Sequence, residues 1–350
     1  MATITDSDGW VPVTRPETTD IALGGNETNF PGKFFRELAS RDQYLYETAL
    51  GGDATSIASA VAFRQLGIAA VAQGRLTLET GVPVSATNQT AKTILYYTPY
   101  TGDYVALYNT VELRWDLFQF TQRSLSLSGL AANTNYDIFI WDSSGTLTLQ
   151  AVAWTSSGAG TSTRASSISQ LNGIWVKDSD KRRYLGVIRT TATAGQCEDS
   201  MQNRLVWNIQ NQARRSILYS PGGSSYTYTT AAWRAVNNNS SNRLNVVTGL
   251  GQPVQVLGGL ITSGGGNPEP GGATGVGLNS SSVNSAQINT DRTLTSDQFV
   301  LYCFAVIQPV AGYNQIIHLE LGSSISGTFT VLPSGGSGNY GDGLVGLWEA

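Results

Sequence analysis

From about residue 74 onward the chain alternates apolar and polar positions in short runs separated by Gly, Asn, Ser and Pro, the period-2 signature of β-strands. Residues 75–79 alternate. Residues 94–100 and 104–108 flank Thr101, Gly102 and Asp103 as a hairpin, which 113–120 continues. Runs at 124–130, 136–141 and 147–154 follow, then a Ser/Thr/Gly stretch at 155–170 expected as a loop, then a hairpin of 174–176 with 183–189. Beyond a boundary placed at 190–200, strands are expected at 204–210, 216–219, 225–236, 244–248, 254–261, 275–278, 299–308, 315–321, 328–332 and 344–348. Residues 263–272 are too glycine-rich to read as strand. Even strand spacing without intervening helices predicts a mainly β fold of antiparallel sandwich or jelly-roll modules. No repeat of 20–50 residues marks a solenoid or propeller.

The first 73 residues read differently. Residues 1–28 are polar and rich in turn formers, with Trp10, Val11 and Val13 as isolated apolar points. Phe34, Phe35, Leu38, Tyr44 and Leu45 then fall near a 3.6 period, with Pro31 suited to a first helical turn and Gly51-Gly52 to a stop. A second helix is expected after Asp53, carrying Ile57, Ala60 and Val61 on one face and ending at Gly67. Short helices of this kind do not hold themselves together in isolation. The expected organisation is therefore an attachment segment at 1–73, a first β-sandwich region at 74–195, and a second, jelly-roll-like region at 196–350. Within the first region, Gly129-Leu130 followed by Thr134 and Tyr136 has the spacing of a tyrosine corner, in which a Tyr hydroxyl bonds back to the backbone of the preceding arch.

Composition narrows the function classes. Charged residues are 13% of the chain, about half the ~25% usual for soluble proteins, while 39 glycines serve the turns. A net charge of −4 speaks against nucleic-acid binding, which needs basic clusters. Cys197 and Cys303 make no disulfide framework, and Cys303 lies in an apolar run as a small buried hydrophobe. The N-terminus carries no basic-then-apolar export signal, and no apolar run reaches membrane-spanning length, so synthesis in a cytoplasm without membrane insertion is expected.

Candidate chemistry is sparse. His318 is the single histidine; strand alternation sets it with Ile316 and Glu320, at a sheet face or subunit contact. Metal-ligand spacing is absent, and Asp178, Asp180, Asp291 and Asp297 read as turn acids. No feature pairs two carboxylates for glycoside cleavage, and residues 264–272 lack the context of a phosphate loop. Lys181, Arg182 and Arg183 read as a solvated basic hairpin. Catalysis is not expected, nor any cofactor. Tyr96, Tyr97, Tyr100, Tyr104, Tyr108, Tyr226, Tyr228 and Trp233 suit sugar stacking or protein interfaces, although most are expected in the core.

Trp10, Val11, Pro12, then Glu17, Thr18, Thr19, Asp20, Gly24, Gly25, Leu38 and Arg41, with Tyr44 and Leu45 beyond, resemble a leader found on tail fibres of tailed bacteriophages. Ile21 and Ala22 replace a common Pro, and the glycine segment is shortened. Motifs such as Tyr96 to Tyr100, Val105 to Tyr108, Arg204 to Asn208 and Gly343 to Gly346 are similar to modules frequent in phage virion proteins, including those of cyanophages. The resemblance implies a homotrimeric, non-enzymatic tail fibre in the virion, docked to other virion proteins of tail or capsid through the eleven N-terminal residues named, and presenting β-domains to a host glycan or protein. The alternatives are a trimeric capsid decoration protein and, from another class, a glycan-degrading tailspike.

Overall fold

The computed structural model describes residues 3–4, 13–14, 67–221, 224–265, 271–293, 298–322, 328–331 and 342–350. The chain divides into two compact units, Met1–Ile68 and Ala69–Ala350. In the first, Thr3–Ile4 pairs antiparallel with Val13–Thr14. The expected helices between 29 and 67, and the attachment residues from Trp10 to Arg41, lie outside the described residues.

The second unit is mainly β, as the alternation predicts, and built from antiparallel sheets. Its centre is a six-stranded sheet ordered Thr146–Ala153, Asn135–Ser143, Arg183–Arg189, Ile174–Lys177 and Ile168–Leu171, with Val206–Asn208 added alongside Arg183–Arg189. Every residue of Arg183–Arg189 is buried. Phe139, Tyr184, Val187 and Trp207 of this sheet share one core with Val246, Val276 and Ile316 of an eight-stranded sheet and Val256, Ala305 and Trp348 of a seven-stranded one. A second core gathers Ile138, Ile140 and Ile188 with Leu76, Leu95, Tyr97 and Val105, which lie on a three-stranded sheet and a separate hairpin.

The strands do not respect the expected boundary at 195/196. Cys197–Asp199 pairs with Gln89–Lys92, and Val206–Asn208 pairs with Arg183–Arg189, so the two β regions share sheets. One pairing is parallel, Asn203–Arg204 beside Arg243–Thr248. The glycine-rich stretch at 263–272 also departs from expectation: Val254–Gly265 and Gly271–Leu278 carry strand structure into it from both ends. Residues 155–170 end in the strand Ile168–Leu171, and 225–236 splits into Tyr226–Thr227 and Trp233–Ala235.

A bulge places the central strand. Pairing between Arg183–Arg189 and Asn135–Ser143 shifts register between Tyr184 and Gly186. Gly186 has φ +155°, and a Cβ there would lie 2.0 Å from Trp207 O, so only glycine allows that approach.

The tyrosine corner forms as the spacing predicts. Leu130 N donates to Leu127 O at 3.0 Å to close the turn, and Ala131 N donates to Tyr136 Oη at 2.8 Å. Tyr136 is buried, so its hydroxyl stands in for water at an arch amide that the turn leaves without a ladder partner. Tyr136→Phe is expected to lower unfolding free energy by ~1 kcal/mol. An unchanged denaturant midpoint for the variant would show that the hydrogen bond contributes nothing.

Candidate functional site

A groove of about 360 Å³ opens where three segments meet. The first is the hairpin of Tyr104–Asn109 with Arg114–Gln119. Asn109 shapes its turn: the side-chain Oδ1 accepts from Val111 N and Glu112 N, both at 3.0 Å, and Nδ2 donates to Asp116 at 3.0 Å. Arg114 Nε adds a 2.8 Å contact to the other Asp116 oxygen. Partial burial pushes the Asp116 carboxyl up, but the bonds from Asn109 and Arg114 outweigh it and hold the group below the usual range. Tyr108 sits edge-on to buried Trp115, with ring centroids 5.4 Å apart, and Trp115 Nε1 donates to Asn172 at 3.1 Å.

The second wall is the outer end of Asn135–Ser143, which brings Trp141 and Asp142 to the rim. The third is the turn before Arg183–Arg189. There Lys181 takes φ +56°, Lys181 N donates to Lys177 O at 2.9 Å, and Lys177 N donates to Arg182 O at 3.0 Å. Asp180 pairs with both Lys177 Nζ and Arg182 Nε at 3.1 Å. Arg182 also donates to Gln150 Oε1 at 2.7 Å, and its guanidinium stacks 3.9 Å from the Trp141 ring centre. The Trp141 ring is thus fixed on one face by a cation–π contact, beside a tyrosine and several carboxylates. Planar rings beside acceptors held in place can stack a polyhydroxylated ring and hydrogen-bond its hydroxyls.

The basic triplet behaves differently from a solvated run. Arg183 is buried at 1% exposure, and donates to Ala69 O at 2.8 Å, Ala106 O at 2.9 Å and Gln210 Oε1 at 2.9 Å. Burial lowers it to about 10. Of the eight aromatics expected mostly in the core, only Tyr97 and Tyr228 are buried; Tyr100 and Tyr104 are exposed, and the others are half-buried. Only Tyr108 of that set lies in the groove. Trp141, Asp116 and Asp142 escaped the sequence reading, because Trp141 ends an apolar strand and looks like core. The signal was there: Trp141 is followed at once by Asp142, Ser143, Ser144 and Gly145, which places it at a solvated strand end.

His318 is inside the sandwich at 0% exposure, with Ile316 and Glu320 equally buried. Thr274 Oγ1 lies 2.9 Å from Nε2 and 3.2 Å from Leu319 O, so the threonine hydroxyl links the ring to the backbone of the same strand. Glycine at 258 leaves the room required: a Cβ there would meet Cys303 Sγ at 2.6 Å and His318 Nε2 at 3.5 Å. Burial drives His318 down to about 3 and Cys303 up to about 11, so both stay neutral. Glu320 accepts from Arg234 Nε at 2.7 Å, Tyr226 Oη at 2.6 Å and Asn237 N at 3.1 Å, and burial still raises its carboxyl. Cys197 is also free and buried.

The sequence matches no protein-family model and no curated protein. Among solved structures, the mosquito-larvicidal Cry4Aa toxin from Bacillus thuringiensis is similar at 10% identity and a TM-score of 0.17, covering 76% of this chain and 50% of that one. At that score the likeness carries no argument. The chain spans about half the length of that toxin.

The single histidine gives a clean pH test. Its folded value of about 3 lies below the ordinary ~6.5, so between these values the unfolded chain binds a proton that the folded chain excludes. His318 therefore contributes stability that is fully present above pH ~6.5 and is lost on acidification, by up to ~1.4 kcal/mol per pH unit. His318→Gln is expected to flatten the fall in stability between pH 6.5 and 5. Equal slopes for the two proteins would contradict the buried neutral ring.

Proposed function

We propose that the chain is a non-enzymatic virion structural protein, a homotrimeric tail fibre of a tailed bacteriophage that docks through residues 1–73 and presents the β unit to a host-surface glycan. The observation that carries the reading is the groove, in which Trp141 and Tyr108 stand beside Asp116, Asp142 and Asp180 on a rigid β scaffold. Asp116, held ionised by Asn109 and Arg114, supports the reading as a fixed acceptor for sugar hydroxyls. The resemblance of Trp10 to Arg41 to a fibre leader supports the attachment role of the N-terminal segment.

Self-association draws on the outer face of the seven-stranded sheet. Leu218, Val345, Leu257, Phe304 and Ile288 form one cross-strand row through direct register partners over five strands. Leu347, Val300, Tyr302 and Val306 extend it, and every member except half-buried Phe304 is 36–63% exposed. The row and its flanks form a contiguous exposed apolar face, the kind of patch that marks an interaction surface. A second copy of this chain is the occupant that a homotrimer supplies.

Fluorescently labelled full-length protein is expected to bind host cells saturably and to be displaced by isolated host surface polysaccharide. Trp141→Ala should weaken that binding about tenfold, ~1.4 kcal/mol, while leaving the melting curve within a few degrees of wild type. Binding that the polysaccharide does not compete would overturn the glycan role. Shortening of the polysaccharide on incubation would overturn the non-enzymatic one.

A further inference from the structure

A second cluster of interest lies at the strand Cys197–Asp199, which pairs with Gln89–Lys92 and Asn203–Arg204. There Asp199 is shared by two arginines: Oδ1 accepts from Arg204 Nη1 at 2.9 Å and Oδ2 from Arg215 Nη2 at 3.2 Å. Both arginine side chains are nearly covered, at 5% and 7% exposure. Arg204 also donates to Ser216 O, through Nε at 3.2 Å and Nη2 at 2.7 Å, so with the bond to Asp199 three of its five N–H groups are used. A third buried guanidinium, Arg75, donates to the carbonyls of Pro83 and Asn211 and lies close enough to feel the charge of Arg215. Burial first, and Arg215 second, bring Arg75 down to about 10.

Three covered cations thus meet one carboxylate. Buried charge is ordinarily matched, because an unmatched guanidinium loses its hydration without recovering an equivalent interaction. Beside Arg204 and Arg215 lies a pocket of about 180 Å³, rimmed by Thr87, Asn88 and Ser216. Asn88 Oδ1 is engaged by Met201 N at 3.0 Å, so the group it offers to the pocket is its amide N–H. Arg214, the remaining cation at the rim, pairs with Glu349 at 3.1 Å. Planar guanidinium forks with hydroxyl and amide donors are the chemistry that recognises a tetrahedral or carboxylate oxyanion.

We propose that the pocket bounded by Asn88, Arg204 and Arg215 is an oxyanion-binding site, taking a sulfate or phosphate group either as a free ion or as a substituent on a polysaccharide. The bound anion completes the charge balance of the arginine cluster. The site is separate from the Trp141 groove and stands without the fibre reading.

The test is thermal unfolding of the full chain in sodium sulfate against sodium chloride at matched ionic strength, repeated with phosphate. A saturable rise of several degrees is expected with sulfate or phosphate and not with chloride. Arg215→Gln should abolish it. Should that variant fail to fold, Asn88→Asp keeps the bond to Met201 N, adds a negative charge at the exposed rim, and should weaken the anion at least tenfold. No shift beyond chloride, or a shift that Asn88→Asp leaves intact, would overturn the site. A sulfated oligosaccharide binding at least tenfold tighter than inorganic sulfate would assign the anion to a polysaccharide; equal affinities would assign the free ion.

Discussion

The guanidinium of Arg183 is the contact on which the β unit closes. It sits at the start of a strand buried along its whole length, and reaches the backbone carbonyls of Ala69 and Ala106 together with Gln210. Those partners belong to the entry of the unit, to the Tyr104–Asn109 hairpin strand and to the segment after Val206–Asn208. One side chain therefore ties the hairpin to the central sheet. Without it, three desolvated carbonyl and amide acceptors would lose a charged donor, which costs far more than a surface ion pair returns. The neighbouring Arg182, in the turn just before that strand, is half-buried and braces Trp141 and Asp180 in the groove. Core closure and groove shape are thus tied to adjacent residues, Arg183 at the start of the strand and Arg182 in the turn before it.

The same logic of faces separates the two apolar surfaces. In Gln298–Ile307 the inward set Leu301, Cys303, Ala305 and Ile307 is buried, and the outward set Val300, Tyr302 and Val306 is not. A strand apolar on both faces at the outside of a sandwich exposes what a soluble monomer would cover, and the register lines those residues up with Leu257, Val345 and Leu218. Their arrangement in rows, as distinct from scattered single residues, is what a flat self-association face requires.

Much of this was legible in the chain. The period-2 runs marked nearly all the longer strands, and the spacing from Gly129 to Tyr136 anticipated a hydrogen bond between residues five apart. Local signals succeed where the partner is near in sequence. They failed where the partner is remote: the pairing of Cys197–Asp199 with Gln89–Lys92 joins residues about a hundred apart, and nothing in a three-residue strand announces it. Arg183 was misread for the same reason, since its acceptors at Ala69 and Ala106 are 114 and 77 residues away. Gly264 and Gly265 fall in a stretch that propensity reads as loop, yet they end the strand Val254–Gly265; within the part of it that the alternation predicts, close packing against Cys303 and His318 makes glycine the residue that fits at 258. The groove needed three segments to converge, so only Tyr108 and the basic turn drew notice beforehand.

The proposed fibre joins these features: a leader-like N-terminal segment, an apolar sheet face for sister copies, and an aromatic groove on the rigid part of the unit. What separates a fibre from a capsid protein is where it sits on the particle. Electron microscopy of particles labelled with antibody against residues 69–350 addresses that directly. Label is expected at the tail or its fibres; label over the capsid faces, or particles that carry none, would rule out the fibre.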